Sequence, residues 1–130
     1  MDENEIGTKI IGFAVRIHRE LGPGLFESVY EAVLADSLGQ AKLRVERQVV
    51  IPIAYDGRMF DEGFRADLIV ERKVILELKC AQCVAPVHRK QMLTYLRLSG
   101  LRLGYVLNFG AVTMRDGIVR LANRLPSSRC

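Results

Sequence analysis

Apolar residues recur at helical spacing along the first part of the chain. They lie three to four residues apart, at Ile6, Ile10, Phe13, Ile17 and Leu21. This spacing predicts an amphipathic helix over residues 4–21, which Gly22-Pro23-Gly24 ends. A second helix is predicted over residues 26–38, with Gly39 as its stop signal.

Between residues 45 and 79 the pattern changes to short runs rich in β-branched residues. Residues 45–54 and 59–70 predict two strands, joined by Asp56-Gly57, a dipeptide typical of hairpin turns. Residues 74–79 predict a third strand, and the charged segment Glu71-Arg72-Lys73 predicts the turn before it. Three consecutive antiparallel strands are therefore expected.

The last third of the chain predicts one helix and two further strands. Pro86 opens a helix over residues 87–99, and Gly100 closes it. Residues 103–109 form a fully apolar strand, and residues 118–122 form a short final one. Because a crossover helix precedes the strand at 103–109, that strand can lie parallel to a central strand. The predicted fold class is α/β, a single domain with a mixed sheet of four to five strands flanked by helices.

Two carboxylates and a lysine lie at the open end of the second hairpin. Its three-residue turn places Asp67 directly opposite Glu77, and strand alternation puts Glu77 and Lys79 on one face. Carboxylate oxygens suit Mg²⁺ or Mn²⁺. A nearby lysine can orient or deprotonate a water, or meet the charge that develops on a phosphate. The alternative is an ordinary cross-strand ion pair between Glu77 and Lys79.

Side chains on neighbouring elements could reach the same place. Glu27 begins the second helix, with Tyr30 one turn further on the same side, and could present a third carboxylate to a metal. The alternative is that Glu27 merely complements the helix dipole. Arg65 shares a strand face with Asp67 and could neutralise it or contact a phosphate. Gly63 indicates a bulge or a close backbone approach in the same strand.

The third predicted helix carries a polar stripe of His88, Gln91 and Tyr95. Met92, Leu93 and Leu96 are expected to face the core. The stripe could bind phosphate or hold the lysine in place, and the alternative is a solvated helix face.

Composition limits the classes of partner. The chain of 130 residues has a net charge of +4 and a pI of about 9.2, which favours polyanionic partners. It has no apolar run long enough for a membrane span, and its acidic start lacks a signal-peptide layout, so a cytoplasmic protein is expected. Residues 1–4 and 124–130 are expected to fray.

The cysteines suit neither a disulfide framework nor a metal cluster. Cys80 and Cys83 have the C-x-x-C spacing of zinc and redox sites, but with Cys130 the chain has three cysteines in total, and it has no second pair. A structural zinc needs four ligands. Free thiols are therefore the expected state.

Taken together, these residues resemble the GxxExxY proteins, a family of the PD-(D/E)XK nuclease superfamily. Three sets of residues carry the resemblance: the naming motif at Gly24, Glu27 and Tyr30, the Asp…Glu-x-Lys core at Asp67, Glu77 and Lys79, and the Gln-x-x-x-Tyr element at Gln91 and Tyr95. It extends from about residue 10 to residue 123. The cysteine pair after the lysine departs from the family pattern.

The resemblance implies a restriction-endonuclease-like fold with an αβββαβ core. It implies one or two Mg²⁺ (or Mn²⁺) ions held by Glu27, Asp67 and Glu77, and hydrolysis of DNA phosphodiester bonds by a metal-activated water. Lys79 would position that water, and Gln91 with Tyr95 would support the lysine or the substrate phosphate. The alternative is a nucleic-acid-binding or assembly module that keeps the fold without turnover. A homodimer would let so small a domain cut both strands.

Overall fold

The computed structural model describes residues 1–125. It contains helices α1 (Glu3–Leu21), α2 (Glu27–Gln40), α3 (Pro86–Ser99) and the single turn α4 (Met114–Gly117), and strands β1 (Val45–Tyr55), β2 (Arg58–Val70), β3 (Val74–Lys79), β4 (Leu103–Asn108) and β5 (Ile118–Ala122). The predicted α/β class is confirmed. Two details differ from the sequence-based expectation: α2 continues through Gly39, and α4 was not predicted.

The five strands form one sheet in the order β1-β2-β3-β4-β5. Neighbours are antiparallel except β3 and β4, which are parallel and joined by α3. The predicted hairpin register is confirmed, because Leu68 pairs with Leu76 and Val70 pairs with Val74. A mixed sheet flanked by helices results, as expected for the restriction-endonuclease-like class.

The helices cover both faces of the sheet. Residues of α1 and α2 pack with Leu68, Leu76 and Leu78 on one face. Residues of α3 pack with Ile75 and Val106 on the other. Burial on both faces explains why β3 and β4 are almost continuously apolar.

One residue of α3 departs from the predicted core. Met92 and Leu96 are fully buried, as expected, whereas Leu93 is 42% exposed. Met92 and Leu96 are four residues apart and share the inner face, and Leu93 is turned about 100° from Met92 towards solvent.

The N-terminus starts the first helix directly. Asp2 accepts a hydrogen bond from the Glu5 backbone (2.8 Å), and the Glu5 side chain accepts one from the Asp2 backbone (3.0 Å). This capping box begins α1 at Glu3, within the segment 1–4 for which fraying is predicted. The expectation for residues 126–130 lies outside the described residues. Among residues 1–125, no helix has both the length and the apolar character needed to cross a membrane.

Candidate active site

The backbone pairing of strands β2 and β3 ends before Asp67 and Glu77. There, hydrogen bonds from the backbone to the side chains of these two residues join the strands instead. The regular pairing of the two strands ends at Leu68 and Leu76. Beyond it, Asp67 Oδ2 accepts a hydrogen bond from the Leu78 backbone (2.8 Å), and Glu77 Oε1 accepts one from the Asp67 backbone (3.4 Å). The two carboxylates predicted to meet are therefore neighbours, and each is held by a main-chain donor.

The regular alternation of β2 breaks at Asp67. Ala66 and Ile69 both pack in the core under α3, whereas Leu68 packs on the opposite face. Strict alternation would put Ala66 and Leu68 on the same face. On β1, Gln48 lies opposite this break and has a positive φ of 52°. The irregularity reorients the chain at Asp67, and local sequence patterning did not predict its position.

Gly63 confirms the predicted close backbone approach in β2. The β1–β2 register shifts between Ile51 and Ile53, and a Cβ at Gly63 would collide with the carbonyl oxygen of Ile51. Glycine is the residue that permits this contact. Arg65, two residues on, is exposed and forms no ion pair within residues 1–125.

The pKa of Glu77 is raised from 4.5 to about 8. Burial is the main cause and the nearby Asp67 carboxylate is the second, while the Lys79 ammonium acts in the opposite direction. Two carboxylates that share a partly buried place repel each other, so one of them holds a proton near neutral pH. A cation at this position would relieve that repulsion.

Replacing Glu77 with glutamine should stabilise the metal-free protein at high pH. Between pH 4.5 and 8 the folded protein keeps a proton on Glu77 that the unfolded chain releases, so the free energy of unfolding falls as pH rises. Glu77→Gln removes this loss. It should raise the free energy of unfolding by about 2–4 kcal/mol at pH 8.5 and change it little at pH 4. Urea unfolding in chelator measures it, with the exposed Glu62→Gln as the matched control. Equal pH dependence of wild type and Glu77→Gln would contradict the assignment.

Lys79 ends β3 beside Glu77. Its ammonium is close enough to lower the pKa of Glu77, and its carbonyl oxygen accepts a hydrogen bond from the Phe109 backbone (2.8 Å). Buried Asn108 then ties the next segment to β4: its side chain bonds both the N–H and the C=O of Ala81 (2.9 Å each). Asn108 was missed in the sequence, where its signal is an amide at the end of an apolar strand.

Helix α3 brings Tyr95 to the two carboxylates. Tyr95 stacks on Phe64 of β2, with ring centroids 3.8 Å apart and an interplanar angle of 7°. Burial raises the pKa of the Tyr95 phenol, and the charges of Glu77 and Asp67 raise it further. The hydroxyl therefore stays protonated and can donate a hydrogen bond beside the carboxylates.

The other two residues of the predicted stripe are Gln91 and His88. Gln91 is exposed on α3, and no hydrogen bond links it to Asp67 or Glu77 in the described part of the chain. His88 Nδ1 accepts a hydrogen bond from the Ala85 backbone (3.2 Å), so this nitrogen secures the start of α3. A substrate contact by His88 would need its other ring nitrogen.

Tyr30 is structural. It is fully buried and stacks on Phe109, with centroids 4.4 Å apart. Its hydroxyl donates to the Gly22 carbonyl and accepts from the Leu25 backbone (3.2 Å). Tyr30 therefore fixes the loop before α2, and with it the position of Glu27.

Glu27 is exposed in the first turn of α2 and faces the end of β3. Its charge raises the pKa of the Cys80 thiol, after the larger effect of burial. Cys80 and Cys83 are both free, and Cys130 lies outside the described residues. Within residues 1–125, no three His, Cys, Asp or Glu side chains are close enough to hold a metal. The structure thus brings Asp67 and Glu77 together but does not add Glu27 to them as a preformed third ligand.

A second acid on α2 reaches the site through β1. Glu31 is 7% exposed and accepts hydrogen bonds from Gln48 Nε2 (2.6 Å) and Arg47 Nε (3.0 Å). Gln48 Nε2 also lies 3.4 Å from Asp67 Oδ1. This Glu31–Gln48–Asp67 network was missed in the sequence, although a carboxylate one turn after Glu27, beside buried Tyr30, was the available signal.

Comparisons with known proteins place the chain in a family. A crystal structure titled SSO0001 aligns with 87% of this chain and 63% of its own, at 20% identity and a TM-score of 0.44. The chain thus spans less than two thirds of the length of that protein. The comparison with curated proteins gave no match. The family model of the PD-(D/E)XK nuclease superfamily matches residues 4–121, and the chain belongs to this superfamily.

Proposed function

We propose that this protein is a divalent-metal-dependent deoxyribonuclease whose reaction centre is formed by Asp67, Glu77 and Lys79. The observation that carries the proposal is the meeting of two carboxylates where β2 and β3 part, with the lysine ammonium beside them. Membership of a nuclease superfamily gives the reaction class, hydrolysis of a phosphodiester.

The donor set fits a hard divalent cation. Mg²⁺ is typically held by one or two carboxylates, with waters and substrate phosphate oxygens completing the shell. Asp67 and Glu77 would supply those carboxylates, and a bound cation would offset the burial and the Asp67 charge that together raise the pKa of Glu77. Exposed Glu27 stays a candidate third ligand. Bound Mg²⁺ or Mn²⁺ would lower the pKa of a water and offset charge on the reacting phosphate.

The side chains around the carboxylates have separate tasks. Lys79 orients the attacking water or meets charge on the phosphate. Tyr95, protonated at neutral pH, donates a hydrogen bond to a phosphate oxygen. Gln91 and His88 on α3, and Arg65 on β2, contact the DNA backbone on either side of the carboxylates.

The direct test incubates purified protein with plasmid, linear duplex and single-stranded DNA, and with RNA. Cleavage of DNA is expected with Mg²⁺ or Mn²⁺ and none with chelator. Cleavage that persists in chelator, or cleavage of RNA alone, would overturn the proposal. A binding module without turnover is the second candidate, favoured by the lack of a preformed three-acid group within residues 1–125. Tight, salt-sensitive DNA binding with no product would support it.

Gln48→Leu should lower kcat about 10- to 100-fold and raise the Mg²⁺ concentration needed for half-maximal activity. The substitution removes the amide that joins Glu31 to Asp67, while Arg47 still pairs with Glu31. Steady-state kinetics across a Mg²⁺ titration measures the effect. Gln40→Leu is the matched control, because Gln40 is exposed at the end of α2. If both variants keep wild-type kinetics, the network does not position Asp67.

A further inference from the structure

Three arginines line one cleft far from the carboxylates. Arg97, Arg102 and Arg124, with Gly100 and Asn123, surround a cleft of about 400 Å³. None of the three arginines forms an ion pair with any residue of 1–125. Like charges around one cleft repel each other, and a bound anion would remove that repulsion.

The cleft lies at the opposite end of the central strands from the carboxylates. Arg102 immediately precedes Leu103, which pairs with Val74 at the start of β3. Glu77, near the end of β3, pairs with Val106 towards the other end of β4. The four-residue step along the chain from Arg102 to Val106 corresponds to about 13 Å.

Helix α3 joins the two ends and carries no acidic residue. Arg89, Lys90 and Arg97 are exposed on it, and none forms an ion pair within the described chain. Lys90 and Arg97 are seven residues apart and therefore lie on one face of the helix. We call the surface formed by Lys90, Arg97, Arg102 and Arg124 the basic track.

We infer that the basic track binds the phosphate backbone of the DNA substrate several base pairs away from the bond that is cut. The inference rests on the proposed function and deepens it. Duplex phosphates follow each other every 3.4 Å of axis along one strand, so about 13 Å corresponds to roughly four base pairs. Guanidinium groups bind phosphate with two parallel hydrogen bonds.

Helix electrostatics does not account for the cleft. Arg97 in the last turn of α3 complements the negative end of the helix dipole. Arg102 and Arg124 lie outside that helix, immediately before β4 and after β5. Their convergence on Arg97 therefore favours an external anion as the common partner.

The test compares hairpin duplexes of about 6 and about 30 base pairs, because a cut near the middle of the short one leaves about three base pairs on either side, too few to reach from the carboxylates to the cleft. For the wild type, KM is expected to be lower for the long duplex. In the triple variant R97Q/R102Q/R124Q this advantage should disappear, with KM for the long duplex raised about 10- to 100-fold. The slope of the logarithm of the binding constant against the logarithm of the salt concentration should become shallower by up to about 2.7. Each arginine that no longer neutralises a phosphate accounts for about 0.9 of this change.

The matched control is R16Q/R58Q/R72Q, which removes the same charge from arginines that have acidic partners elsewhere. If both triple variants lose affinity for the long duplex equally, or if KM is unchanged in R97Q/R102Q/R124Q, the inference about the basic track is wrong. The nuclease proposal is unaffected by either result. DNA binding without cleavage, weakened by the track variant alone, would support the track and overturn the nuclease. Wild-type protein that neither binds nor cleaves DNA would overturn both.

Discussion

Replacing Asp67 with asparagine should lower kcat/KM for DNA cleavage by about 1,000-fold or more while the protein stays folded. Asparagine keeps an oxygen that can accept the hydrogen bond from Leu78, so the tie between β2 and β3 survives. It lacks the negative charge that a divalent cation requires, and electrostatic stabilisation of the phosphate in the transition state is lost with the metal. Steady-state kinetics, Mn²⁺ titration calorimetry and thermal unfolding measure the three consequences.

Asp61→Asn is the matched control, because Asp61 is exposed on the same strand. It should retain wild-type activity and metal affinity. Substantial activity in a well-folded Asp67→Asn protein, above about a tenth of wild type, would remove Asp67 from the reaction centre.

Replacing Lys79 with methionine should lower kcat about 100- to 1,000-fold. Methionine preserves most of the stem of the lysine and removes the ammonium that orients the water or meets charge on the phosphate. Since that ammonium also lowers the pKa of Glu77, its loss should raise the pKa of Glu77 further. Glu77 must lose its proton to bind a metal, so residual activity should rise at higher pH than in the wild type.

The measurement is a pH–rate profile at fixed Mg²⁺, with Lys9→Met on the exposed face of α1 as control. A wild-type rate with Lys79→Met would exclude the lysine from catalysis. If the rate falls but activity still rises at the same pH as in the wild type, Lys79 acts on the substrate without changing the pKa of Glu77.

Local patterning was sufficient for most of the fold. The turn at residues 71–73 determines which residues face each other in the hairpin, so the meeting of Asp67 and Glu77 could be predicted from the spacing of residues alone. Pro86 and Gly100 limit α3 for reasons of backbone geometry alone, and Gly100 ends it with a positive φ of 76°. These features depend on neighbours within a few residues.

The site also contains residues whose roles depend on distant partners. Glu31 and Gln48 become part of it because α2 packs against β1, and no periodicity in either segment indicates that contact. Tyr30 had a predicted supporting role, but its burial and its hydrogen bonds to the loop at residues 22–25 became visible only in the packed structure.

The sequence by itself determined the elements, the hairpin register and the pair of carboxylates beside a lysine. Only the tertiary structure decided that Glu27 lies outside their immediate cluster, that Gln48 links Glu31 to Asp67, and that three arginines from three segments share a cleft. The physical reason is the separation along the chain over which each effect acts. Backbone propensities and side-chain alternation act over a few residues, whereas burial, pKa shifts and charge clusters arise where packing brings remote segments together.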